Sequence, residues 1–85
     1  MSKKTVHVLK ILPEYFDAVR KGTKKFELRK NDRNFHAGDM LCLREWDGNK
    51  YTGSCVEAIV TYILFDWMGL ERGWCVMSIE LVGEV

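Results

Sequence analysis

At 85 residues, with 47% apolar and 29% charged side chains, the chain has the size of one small domain, and its ten aromatics argue against disorder. Its longest apolar stretches, 58–60 and 62–65, fall far short of the ~20 residues a bilayer span requires. The net charge of +1 hides an asymmetry: residues 1–33 carry ten Lys/Arg against four Asp/Glu, and residues 34–85 carry three against eight. Such a division points to a basic face for an anionic partner.

In chain order, residues 5–12 are β-branched and alternating and predict the first strand. Pro13 breaks it and suits the first position of a helix, where a missing N–H leaves nothing unpaired. Glu14 near the start, Arg20 and Lys21 near the end, and an apolar stripe of Tyr15, Phe16 and Val19 predict a helix closed by Gly22 as a left-handed cap. Residues 24–29 alternate with period two, so Phe26 and Leu28 are expected toward a core, with Lys25, Glu27 and Arg29 on the opposite face. A charged loop over 30–34 and a turn at 36–39 follow. Residues 40–46 and 50–65 predict two strands joined by a hairpin turn at 47–49, with a bulge near Gly53. Residues 66–73 predict one helical turn between glycines, and 74–82 a last strand. One helix and about five strands are too few to cover a large open sheet. They predict an α+β fold, a small and strongly curved sheet or barrel with the helix plugging one end.

Cys42, Cys55 and Cys75 are odd in number and lack a C-x-x-C pair, so they are expected to be inert core thiols without a structural disulfide. His7 and His36 lack a ligand spacing, and no metal or other cofactor is implied. The basic residues 1–4 lead into a strand rather than an apolar signal core, which sets a cytoplasmic expectation.

The strings His7-x-Leu9-Lys10-Ile11-x-Pro13-x-Tyr15-Phe16, Gly22-x-Lys24-x-x-Glu27-x-Arg29-Lys30-Asn31-Asp32-Arg33 and Gly38-Asp39 resemble DUF3850, a family of small phage and bacterial proteins of unknown function. Tyr51-Thr52-Gly53, residues 60–64, Gly69-Leu70 and residues 76–79 continue the likeness. That family is similar to the ASCH domains of the PUA-like superfamily. The resemblance implies one PUA-like, ASCH-related domain over 1–85, a β-barrel with an N-terminal helix. It further implies a cleft beside the G-x-K-x-x-E-x-R strand and, by analogy, binding of RNA or a nucleotide derivative.

In that cleft Lys24, Glu27 and Arg29 are expected as the floor, with Lys30 and Arg33 at the rim and Trp67 as a base-stacking platform. Arg33 has an alternative as an ion-pair partner of Asp32 or Asp39, and Trp46 and Trp74 have one as packing residues. A binding domain of this kind needs no catalytic residue. The superfamily also contains amidohydrolases acting on an acylated cytidine, so a small hydrolase with Lys24 and Glu27 as acid–base pair is the main alternative. Those enzymes use a threonine nucleophile where this chain has Glu27, which counts against acyl transfer. A third possibility is a phage accessory protein that binds a host protein through its acidic C-terminal half, with Trp67 and Met68 as anchors. The partner expected first is RNA or a nucleotide-like ligand, and no membrane.

Overall fold

The computed structural model describes residues 5–84, and the basic residues 1–4 lie outside the described residues. Alternation is what builds the strands. In β1 (Val6–Ile11) every second side chain is buried, so His7, Leu9 and Ile11 face inward while Val6, Val8 and Lys10 face out. Pro13 opens α1 (Pro13–Arg20), which buries Phe16 and Val19 against β3 (Met40–Trp46) and β5 (Trp74–Glu84). Gly22 then adopts φ +80°, and the amides of Thr23 and Lys24 both donate to the Ala18 carbonyl, 2.9 and 3.0 Å away. This cap turns the chain directly into β2 (Phe26–Lys30).

The five strands form one sheet in the order β1-β3-β4-β5-β2, with β4 spanning Tyr51–Phe65. β1 and β3 run parallel, and every other pair is antiparallel. The sheet curls into a half-barrel around the apolar side chains of β1, β3, β4 and β5, with the helix covering one end. β4 makes this possible by its length. Residues 51–59 pair with β3 and residues 56–65 with β5, with register shifts near Gly53, at 57–58 and at 60–62. Each shift adds local twist and bends the strand.

The hairpin forms at 47–50 as expected, with Asp47 Oδ1 accepting from the amides of Asn49 and Lys50 at 2.8 Å. The 66–73 stretch differs from expectation. It holds two successive turns, Leu70 N–H to the Trp67 carbonyl and Trp74 N–H to the Glu71 carbonyl, rather than one helical turn. Gly69 and Gly73 occupy the third positions with φ +92° and +84°, a conformation that breaks a helix and suits a tight turn.

A cationic cavity at the barrel seam

The edge strands of the sheet, β1 and β2, are not joined by a backbone ladder. Arg29 of β2 and Arg33 of the loop that follows it reach across to β1 instead. Arg29 Nη2 donates to the Lys10 carbonyl at 2.8 Å, and Arg33 Nη1 donates to the Val8 carbonyl at 3.0 Å. The open seam becomes a cavity of about 640 Å³, lined along β1 by Leu9, Lys10 and Ile11 and along β2 by residues 26–30. Leu12, Tyr15, Lys24, Asp32, Arg33, Phe35 and Trp74 complete the lining. Lys24, Arg29, Lys30 and Arg33 line the cavity together with two carboxylates, Glu27 and Asp32, whereas the Lys10 ammonium is turned away over the Trp46 ring.

β2 has the expected alternation in the opposite phase. Glu27 is 3% exposed, whereas Phe26 and Leu28 are 47% and 50% exposed. The pairing with β5 sets this phase, because Glu27 lies opposite buried Met77 and Arg29 opposite buried Cys75. A one-residue change of register would turn every β2 side chain to the other face. A buried carboxylate is tolerated only when its oxygens are paired. Glu27 Oε1 accepts from Lys24 Nζ at 2.7 Å, and Oε2 accepts from Arg29 Nε at 2.8 Å.

Lys24 also donates to the Phe26 carbonyl at 2.8 Å, and its ammonium lies 4.8 Å from the Phe26 ring centroid and 5.9 Å from that of Tyr15. The three charges therefore form a single fixed cluster, flanked by two half-exposed aromatic rings.

Of the residues singled out in the sequence, Lys24, Glu27, Arg29, Lys30 and Arg33 all reach this cavity. Trp67 does not; it stands 62% exposed in the 66–73 stretch. Trp74 is the tryptophan that lines the cavity, at the start of β5. Trp46 packs edge-on against Tyr51 with a centroid separation of 5.0 Å, and Lys10 Nζ sits 3.9 Å above its ring. Arg33 bonds the Val8 carbonyl, a partner other than either aspartate considered for it.

One pair escaped the sequence. His7 and Asp39 are both buried, with Nε2 and Oδ2 2.8 Å apart, and Asp39 Oδ2 also accepts from the His36 amide at 2.9 Å. Burial pushes the Asp39 carboxyl upward, but the bonds from His7 and His36 outweigh it and hold the group below its ordinary value. The pair ties the end of the 31–39 loop to β1, with Phe35 edge-on to the His7 ring at 4.7 Å. Asn31 Oδ1 accepts from the Phe35 amide and secures the loop's other end. His7 sits at an inward position of an alternating strand, and that was the available signal.

The cysteines are free thiols, but only Cys75 is in the core. Cys42 and Cys55 are half-buried on the outer side of β3 and β4 with sulfurs 3.2 Å apart. Burial, aided by the neighbouring Cys42 thiol, pushes the Cys55 thiol up to about 11. No helix among the described residues is long and apolar enough to cross a membrane.

The family model described as a domain of unknown function, DUF3850, matches residues 6–79, a span that contains every residue lining the cavity. The uncharacterized 12.9 kDa protein in the GpA 3′ region of Escherichia phage P2 is 45% identical over 65 residues, 74% of this chain. The chain spans 60% of that relative's length. With the family model covering nearly all of the described strands and the helix, the chain belongs to the DUF3850 family.

Proposed function

We propose that this protein binds RNA, or a nucleotide-like ligand, in the cavity at the barrel seam, as an ASCH-related member of the PUA-like superfamily. The observation that carries the proposal is the Lys24–Glu27–Arg29 cluster in a cavity with two further cations, Lys30 and Arg33, and aromatic walls. Arg29 and Arg33 keep planar guanidinium N–H groups beyond those donated to β1, and these suit phosphate oxygens. Tyr15, Phe26 and Trp74 supply the flat apolar surface that a base requires. Glu27 acts as the brace that holds two cations in place rather than as a ligand itself.

The same geometry weighs against the hydrolase alternative. A general base must present an oxygen to the attacking water. Both Glu27 oxygens are already engaged by Lys24 and Arg29, and the carboxylate is buried. A cytoplasmic setting belongs to the same proposal, since RNA is met there and three free thiols stay reduced there.

Titration of a fluorescent hexauridylate at increasing salt tests the proposal. A plot of log affinity against log salt should be linear, with a slope no steeper than about −2.8 if each of the four cavity cations meets one phosphate. An affinity unmoved by salt, or no binding at low salt, would remove the electrostatic basis.

A further inference from the structure

The inverted phase of β2 has a consequence on the outside of the barrel. Residues directly opposite one another on antiparallel strands share a face. Phe26 lies opposite Ser78, and Ser78 opposite Tyr62; Leu28 lies opposite Val76, and Val76 opposite Leu64. Lys30 lies opposite Trp74 and closes a third row. The resulting face across β2, β5 and β4 is open to solvent, with Tyr62 63% and Leu64 37% exposed beside Phe26 and Leu28. Lys30 is the one charged residue on these rows. The face is continuous with the cavity, because Phe26, Leu28, Lys30 and Trp74 belong to both.

We infer that the ligand is a single-stranded nucleic acid of several nucleotides, with one nucleotide in the cavity and its neighbours laid across this outer face. The inference rests on the binding reading above and adds the class of ligand. Charge decides the occupant: the face begins at a cavity where four cations meet two carboxylates, and the charged residue on its rows is cationic, which favours a polyanion. Spacing decides its form. Successive rows lie two residues apart along a strand, about 6.7 Å, roughly twice the 3.4 Å spacing of stacked bases along one strand of a duplex. Bases resting on these rows must be unstacked from one another, which a splayed single strand allows and a duplex does not. Phe26, Tyr62 and Trp74 offer ring faces or edges for them, and the leucines fill the row between.

Length dependence provides the test. Uridine 5′-monophosphate and uridylates of three and six nucleotides, with the matching thymidylates, would be titrated against the wild type and against Tyr62→Ser and Leu64→Ser. Both substituted side chains are exposed, and a matching urea midpoint checks that each variant is folded. The expected result is affinity at least tenfold higher for the trimer than for the monophosphate in either sugar series, with that gain reduced about tenfold by Tyr62→Ser. Monophosphate affinity should be the same in the wild type and both variants.

Equal affinity for monophosphate and trimer would overturn the extended platform and leave the cavity site standing. Failure of every probe to bind would overturn the cavity site as well. Sedimentation showing a wild-type dimer that Tyr62→Ser dissociates would identify the face as a protein interface and overturn the platform.

Discussion

Replacing Glu27 with Gln probes the cluster on which the cavity depends. The substitution keeps the shape of the side chain but leaves one oxygen and one NH2 group where two oxygens accepted. Either Lys24 or Arg29 then faces a donor instead of an acceptor, and both cations lose their counter-charge. Removing one partner from a fully buried pair costs about 3–5 kcal/mol, whereas exposed pairs are worth only about 0.2–1 kcal/mol. Here the carboxylate side chain is 3% exposed but the Lys24 and Arg29 side chains are 16% and 24% exposed, so water screens part of the penalty.

An expected loss of roughly 2–3 kcal/mol follows. For a domain of this size that corresponds to a fall in Tm of roughly 10–20 °C. Urea unfolding followed by tryptophan fluorescence would measure it, with an unchanged m-value required for the comparison. A double-mutant cycle with Lys24→Met sharpens the test, because removing a stranded cation should recover part of the loss. A Glu27→Gln midpoint within about 0.5 kcal/mol of wild type would refute the reasoning, since two cations that do not need Glu27 are not organised by it.

Three further outcomes are expected. Asp39→Asn should flatten the acid side of the stability profile: the Asp39 carboxyl is held below its ordinary value of 3.8, so its contribution is present above that pH and disappears as pH falls through the lower folded value. Urea midpoints above pH 3.8 and progressively below it measure this, and an identical acid loss in the variant would count against the His7–Asp39 tie. Gly22→Ala should destabilise by about 1 kcal/mol in thermal melts, because φ +80° at that position strains any residue with a Cβ although the space is open. Incubation with an acylated cytidine should give no hydrolysis, as read by chromatography; wild-type turnover abolished in Glu27→Gln would put the hydrolase alternative first.

Local features of the fold were legible because their causes lie within a few residues. The Pro13 helix start, the Gly22 cap, the 47–50 turn and the bulge at Gly53 each depend on one residue's backbone freedom or on a short-range hydrogen bond. The charged run through Arg33 also identified the side chains that meet at the seam. Phe26 and Leu28 were placed on the wrong face because alternation gives a period but not a phase. The phase is fixed by pairing with residues 74–78, roughly fifty positions away. His7 and Asp39 meet only because β1 and β3 run parallel, which nothing near either residue announces. Trp67 and Trp74 flank the same glycine-rich stretch, and only the two successive turns decide that Trp74 reaches the cavity.

The most direct test of the binding claim is an NMR titration of labelled protein with hexauridylate at low salt. The account predicts shifts at Tyr15, at Lys24, across residues 26–30, at Arg33 and at Trp74, all lining the cavity, and, because a hexamer is long enough to leave it, at Tyr62 and Leu64 on the adjoining face. Shifts confined to the β3–β4 hairpin around Trp46 and Tyr51, or no shifts at saturating ligand, would contradict it.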